Sequence, residues 1–169
     1  MPRPGRNREA ERELLEAIRI WTAQQGEQNR VVAFGYNNLG LALEAQGRLD
    51  EAAAAFQRSL AIVERVLGPR HPVLPRIVAN VARLALATGH PQQAVDGFRR
   101  ALALHTELVA TQDLTAARLR ARLAQALVAN GARDEARDFI AQARTLLQRD
   151  PGASDDDLAL VAGVEASLQ

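Results

Sequence analysis

The fold is decided by one stretch of sequence, YNNLGLALEAQGRLDEAAAAFQRSL, which spans residues 36–60. Its pattern returns twice further along the chain at a step of 42 residues. The step relates four sets of residues: Leu39, Val81 and Leu123; Gly47, Gly89 and Gly131; Ala52, Ala94 and Ala136; Phe56, Phe98 and Ile140. Repetition at a period of about 20 to 50 residues is typical of solenoids, in which each unit buries its apolar face on its neighbours.

Each unit has the pattern of a helical hairpin. Apolar or small residues recur at spacings of three and four on both sides of the repeated glycine, which predicts two amphipathic helices. The glycine is the residue type that favours the left-handed backbone of a helix end. Gly40 and Ala52 are small enough to let the two helices approach closely, and Phe56 is expected to fill the space beside them.

The period sets the expected domain organisation. We expect a flexible basic tail over residues 1–8 and a single repeat domain over residues 9–169. That domain is predicted to hold a lone helix (residues 9–25), three hairpins (residues 30–67, 72–109 and 114–149) and a terminal helix (residues 155–168), which makes about eight helices. Projecting the step gives helix starts at Asn29, His71, Asp113 and Asp155, and three of these four residues, all but His71, are good N-caps. A looser turn is expected at Thr111, Gln112 and Asp113.

The lone first helix aligns with the second helix of a hairpin. Ala10, Leu14 and Ala17 correspond to Ala52, Phe56 and Ser59. At the other end of the sequence, residues 155–169 align with the first helix of a hairpin whose second helix is missing.

A family resemblance follows from these residues. Tyr36, Leu39, Gly40, Leu43, Ala52, Phe56 and Ser59 resemble the signature positions of a tetratricopeptide repeat. The longer period, the run Asn37-Asn38-Leu39 and the connector at residues 66–72 are similar to the kinesin light chain subtype. The resemblance implies an all-α, right-handed superhelix that binds a protein or peptide in a concave groove lined by the first helices. It also implies no catalysis and no cofactor.

Helical spacing predicts which residues line that groove. Residues four and seven apart share a helix face, and the repeat places Phe34, Arg76 and Arg118 in one column and Asn38, Asn80 and Arg122 in another. The predicted peptide-binding residues are Asn37, Asn38, Arg76, Asn80, Arg83, Arg118, Arg122 and Gln125. Arginine binds carboxylates through two parallel hydrogen bonds, and asparagine can bind a peptide backbone, so we expect an acidic peptide or a chain-terminal carboxylate as ligand.

Two other interpretations of these arginines stay open. They can form a solvated helix face, because exposed charges need no functional explanation. They can also contact another part of a larger regulatory assembly. Nucleic acid is the less favoured ligand, because the net charge is only +1 and no aromatic side chains alternate with the arginines.

The terminal helix carries a second hypothesis, in which the protein is a self-associating structural subunit. Residues 158–168 contain Glu165 as their only charge, and an apolar terminal helix can pack on a second copy. The candidate residues are Leu158, Leu160, Val161, Val164 and Leu168. Folding of this helix onto the third hairpin is the alternative.

Composition and motifs argue against most other functions. The chain is 47% hydrophobic and 24% charged, and it has no cysteine, no long apolar segment and no signal peptide pattern. His71, His90 and His105 lack a metal-ligand spacing, and no catalytic or phosphate-binding motif occurs. All 21 basic residues are arginine, as is common in GC-rich genomes, and we expect a cytoplasmic, bacterial protein without a membrane partner.

Overall fold

A computed structural model describes residues 4–109 and 113–169 of the chain. Within these residues the structure contains eight α-helices and no β-strand, so the predicted all-α class is confirmed. The helices are α1 (Pro4–Gln25), α2 (Arg30–Glu44), α3 (Leu49–Leu67), α4 (Leu74–Ala87), α5 (Pro91–Leu108), α6 (Leu114–Ala129), α7 (Arg133–Leu147) and α8 (Asp155–Ala166).

The repeated glycines end the first helix of each hairpin in the same way. Gly47, Gly89 and Gly131 have φ angles of 76°, 79° and 82°, which is the left-handed region that disfavours residues with a Cβ. The residue after each glycine donates its backbone N–H to a carbonyl five residues earlier, for example Arg48 to Leu43 at 3.0 Å. These bonds satisfy carbonyl groups that the helix itself leaves unpaired.

Three helix starts differ from the prediction. Helix α4 begins at Leu74 and not directly after His71, because residues 71–73 form a turn in which Nδ1 of His71 accepts from the Val73 backbone N–H. Helix α1 begins at Pro4 rather than near residue 9, because proline is compatible with the first turn, where its missing N–H needs no partner. The N-cap of α8 is Ser154 rather than Asp155. Ser154 and Asp157 exchange side-chain and backbone hydrogen bonds in a capping box, which a cap at Asp155 would forgo. Asn29 and Asp113 cap α2 and α6 as predicted. Residues 1–3 of the expected tail, and Thr111 and Gln112 of the expected turn, lie outside the described residues.

The chain groups into two compact units, and each is described by itself. Unit 1 extends to Leu84 and unit 2 begins at Ala85. In unit 1, α1 packs on α2, and α2 packs on α3. A Cβ added at Gly40 would lie 2.7 Å from a ring carbon of Phe56, so the close approach of α2 and α3 requires a glycine there. Phe56 is fully buried, as the sequence predicted.

Unit 2 has its own core. Helix α5 packs on α6, α6 packs on α7, and α8 contacts both α6 and α7. Its large buried side chains include Phe98, Leu123, Leu127, Ile140 and Leu147. Burial of each side chain of this size contributes roughly 1.5–3 kcal/mol to the free energy of folding.

Candidate peptide-binding surface

An asparagine pair within unit 1 joins two first helices, α2 and α4. The side-chain amide of Asn80 donates to Oδ1 of Asn37 at 3.0 Å, and Nδ2 of Asn37 lies 3.4 Å from Oδ1 of Asn38. Asn37 is buried, so its polar atoms need such partners. The residue therefore holds the helices together, and it does not line an open surface as the sequence predicted.

The exposed part of this surface carries Asn38 and Arg76. Arg76 precedes Asn80 by one helical turn on α4, and Asn38 follows Asn37 on α2. No hydrogen bond or ion pair joins Arg76 to any other residue in the part of the chain that the structure describes. Unit 1 thus presents one unpaired guanidinium and one accessible amide on adjacent first helices.

Arg83, in contrast, is paired with a carboxylate of the same unit. Its Nη2 donates to Oε2 of Glu44 at 2.7 Å, and its Nη1 donates to the other oxygen of that carboxylate. The side chain of Arg83 is 31% exposed and that of Glu44 is 18% exposed. A ligand carboxylate can bind Arg83 only in competition with Glu44.

Unit 2 shows the same type of pairing between α6 and α8. Nε and Nη2 of Arg118 donate to the two carboxylate oxygens of Asp157, each at 2.8 Å. The hydrogen bonds from Arg118 hold the pKa of Asp157 well below its ordinary value, with further lowering from the Ser154 backbone and hydroxyl. Asp157 in turn raises the pKa of Arg118.

Arg122 and Gln125 lie one turn apart on α6. Nη1 of Arg122 donates to Oε1 of Gln125 at 3.2 Å, and both side chains are half-buried. Gln125 also borders a cavity of about 240 Å³ between α6 and α8, together with Val128, Leu160 and Gly163.

Sequence reasoning missed the two carboxylates that form ion pairs with Arg83 and Arg118. Glu44 precedes Arg83 by 39 residues, and Asp157 follows Arg118 by 39 residues. This separation is three residues short of the repeat step. A search for opposite charges at one step minus one helical turn would have found both pairs.

The structure separates the five residues proposed for self-association into two groups. Val161, Val164 and Leu168 are buried within the chain, where α8 packs on α6 and α7. Leu160 is half-buried and Leu158 is 46% exposed. For these three buried residues the alternative holds: they pack onto the third hairpin of the same chain.

The histidines make local contacts. Nδ1 of His71 accepts from the Val73 backbone N–H, and a nitrogen of His90 lies 3.1 Å from the Thr88 hydroxyl. Nε2 of His105 lies 2.8 Å from Oδ1 of Asp113, the N-cap of α6. Across residues 4–109 and 113–169, no three His, Cys, Asp or Glu residues form a group that could hold a metal ion. None of the described helices is long and apolar enough to cross a membrane.

Comparison with known proteins adds a family match. The sequence profile of the tetratricopeptide repeat matches residues 4–61 and 31–107, which together are more than half of the chain. A search of curated proteins gives no match.

Solved structures share the fold at low sequence identity. BtubC (BKLC) from P. vanneervenii is 19% identical with a TM-score of 0.83, and the match covers 96% of this chain and 66% of that protein, just under two thirds. A putative kinesin light chain of Podosopora anserina with nearly identical TPR-like repeats is similar in two crystal structures. They are 21% and 20% identical, with TM-scores of 0.77 and 0.75, and the matches cover 96% and 99% of this chain and 87% and 89% of those chains. The expected solenoid fold of the kinesin light chain type is confirmed.

Proposed function

Because the chain belongs to the tetratricopeptide repeat family, whose repeats form protein-interaction modules, we propose that it binds an acidic peptide or a C-terminal carboxylate on its first helices. In this proposal the protein is a non-enzymatic adaptor that works in the cytoplasm. The contacts are made by exposed polar side chains, and no covalent chemistry is required.

The observation that carries the proposal is the unpaired Arg76, one helical turn from Asn80, whose partner Asn37 precedes the exposed Asn38. A guanidinium offers two parallel N–H donors to one carboxylate, and such charge-assisted bonds are stronger than neutral ones. Asn38 offers both a donor and an acceptor, which matches the N–H and C=O of an extended peptide. A ligand carboxylate on Arg76 would thus lie next to a side chain that can hold the ligand backbone.

The paired arginines have a supporting role in this proposal. Arg83 and Arg118 each bind a protein carboxylate through two nitrogens, so their side chains are already held in an orientation that suits carboxylates. The Glu44 side chain is only 18% exposed, so a ligand carboxylate must displace a partly buried partner to reach Arg83. Arg122 and Gln125 provide the corresponding polar contacts of unit 2. We expect micromolar affinity, on the order of −8 kcal/mol.

Binding of two labelled peptides tests the proposal. A hexapeptide of glutamate with a free C-terminus and its amidated, glutamine-only counterpart are titrated with the 169-residue chain by fluorescence anisotropy. We expect the acidic peptide to bind and the neutral peptide to fail. Arg76→Glu should weaken acidic-peptide binding at least tenfold, and Asn38→Ala should weaken it less.

The matched control is Arg65→Glu, which makes the same charge change on an exposed arginine of α3. If Arg65→Glu weakens binding as much as Arg76→Glu, net charge and not the first-helix surface explains the affinity. Equal binding by wild type and Arg76→Glu would exclude Arg76 as a contact.

Self-association is a second candidate function, and one observation favours it. Leu158 is 46% exposed on α8, although its counterparts one, two and three steps earlier, Ala116, Leu74 and Val32, are buried. We propose that a protein surface covers Leu158 in the assembled state. Sedimentation of wild type and Leu158→Arg tests this idea, because only the wild type should gain mass as its concentration rises.

A further inference from the structure

We infer that two copies of this chain associate head to tail, with α1 of one copy packing on α8 of the other as the second helix of a completed hairpin. The inference rests on the second candidate function, self-association, and it names the two surfaces that meet. They differ from the first-helix residues proposed to bind a peptide.

The first surface lies on α8. In the first hairpin, Gly40 of α2 faces the Phe56 ring, and Tyr36 lies beneath Arg58, so this face of α2 contacts α3. Val32 is one turn before Tyr36 on the same face, and it is fully buried. The corresponding residues of α8, three steps later, are Leu158, Ala162 and Ala166, and all three are exposed. Helix α8 therefore has the face of a first helix, and no second helix among the described residues covers that face.

The second surface lies on α1, which aligns with the second helix of a hairpin. Leu14 and Ile20 occur one step before Phe56 and Ile62, which are both buried in α3. In α1 Leu14 is half-buried and Ile20 is 38% exposed. Helix α1 packs on α2 through Ile18 and Trp21, which lie beside Gly35. The face that α3 directs toward its own first helix is thus only partly covered in α1.

The two surfaces are complementary in size. The Leu14 side chain of one copy would lie against Ala166 of the other, as Phe56 lies against Gly40 within the first hairpin. Ile20 would cover Leu158 in the same way. Between them Glu16 would lie opposite Ala162. Glu16 already accepts two hydrogen bonds from Arg19, at 2.6 and 2.9 Å, so this carboxylate would keep its partner in the interface. A contact between two different surfaces is heterologous. In a pair of copies, one α1 surface and one α8 surface therefore stay available for further copies.

Mixing two variants tests this arrangement by sedimentation. Ile20→Arg blocks the α1 surface and leaves the α8 surface intact, whereas Leu158→Arg does the reverse. Each variant alone should be monomeric at concentrations where wild type associates. A 1:1 mixture should form a heterodimer and nothing larger, because one intact α1 surface then meets one intact α8 surface. Ile20→Gln and Leu158→Gln provide a second, milder pair.

Leu15→Arg is the matched control. Leu15 is 49% exposed on α1, and its counterparts Gln57, Arg99 and Ala141 are exposed in every complete hairpin, so it lies off the proposed interface. This variant should associate like wild type. Circular dichroism should show unchanged helix content in all variants, since the substituted side chains are exposed.

The outcomes separate this inference from self-association in general. Wild type that stays monomeric at all concentrations overturns both. Wild type that associates, together with Ile20→Arg that still associates alone, overturns the head-to-tail contact only, because α8 would then pair with itself or with another surface. Two monomeric variants whose mixture also stays monomeric overturn it as well.

Discussion

The first and third hairpins have the same helical plan, but they fill the space between their helices differently. In the first, Gly40 of α2 lies against the fully buried Phe56 of α3. In the third, the corresponding residues are Ala124 and Ile140, and both are buried. The second helix loses volume where the first helix gains a methyl group. In these two hairpins the packed volume is therefore divided between the helices in two ways.

The polar partners of the two hairpins also differ. In the first, the guanidinium carbon of Arg58 lies 5.6 Å from the centroid of the Tyr36 ring. In the third, the arginine is on the first helix, where Nε of Arg120 donates to Oε1 of Gln142 at 3.0 Å. Tyr36 corresponds to Arg120, and Arg58 corresponds to Gln142. A cation–aromatic contact has been replaced by a hydrogen bond with the cation on the other helix.

The largest expected effect concerns the volume shared by Gly40 and Phe56. Phe56→Ala should lower the free energy of unfolding by about 3–5 kcal/mol, because it opens a cavity in a closely packed contact. Gly40→Ala alone should cost about 1–3 kcal/mol, since its methyl group would overlap the ring. The double variant should be more stable than the sum of the two changes predicts, because the new methyl group enters the vacated space. Urea unfolding of the three variants and wild type measures the coupling.

The third hairpin provides the contrasting double-mutant cycle. Ile140→Ala and Ala124→Gly both remove volume, so their combination should cost at least the sum of the single changes. Coupling of the same sign in both hairpins would contradict the idea that the first and third hairpins divide the same packed volume in two ways.

An intermediate effect is expected where the carboxylate partners of the two units differ. Asp157 both binds Arg118 and caps α8, whereas Glu44 binds Arg83 and has no capping role. Asp157→Asn should therefore cost about 1–2 kcal/mol, the sum of a cap and an ion pair. Glu44→Gln should cost about 1 kcal/mol or less. Urea unfolding at neutral pH compares the two variants.

The same comparison has a pH dependence with a definite sign. Folding lowers the pKa of Asp157, so the folded state keeps this carboxyl group ionised at lower pH than the unfolded chain does. Its contribution to stability is complete above the ordinary carboxyl pKa of about 4 and is lost as the pH falls through the lower folded value. The difference in stability between wild type and Asp157→Asn should shrink over that range. A difference that stays constant down to low pH would show that the carboxylate charge is not involved.

The repeat step predicted the helices well because it depends on backbone geometry that the three hairpins share. Gly47, Gly89 and Gly131 mark helix ends in the structure as they do in the sequence. The step was less informative about the surface. It grouped Arg76 with Arg118, yet the first is unpaired among the described residues and the second is bound to Asp157. Pairing depends on which side chains the adjacent first helix supplies, and a search within one helix does not consider them. The proposed binding role of these residues stays a prediction.

The smallest expected effect comes from transferring the polar pair of the first hairpin to the third. Arg120 is half-buried, its burial lowers its pKa, and its Nη1 is a buried atom without a hydrogen-bond partner in the described structure. Arg120→Tyr combined with Gln142→Arg would place an arginine over a tyrosine, as in the first hairpin. The double variant should gain about 0.5–1 kcal/mol in the free energy of unfolding.

The single changes should reveal whether the pair or one residue produces this gain. Gln142→Arg alone should be destabilising, because it brings a second guanidinium next to Arg120 and removes the acceptor of its hydrogen bond. Arg120→Tyr alone removes a buried guanidinium but leaves the tyrosine without a cation. A double-mutant cycle by urea unfolding should therefore show favourable coupling. Additive effects would mean that Tyr36 and Arg58 contribute to the first hairpin independently, and that the arginine could occupy either helix without energetic consequence.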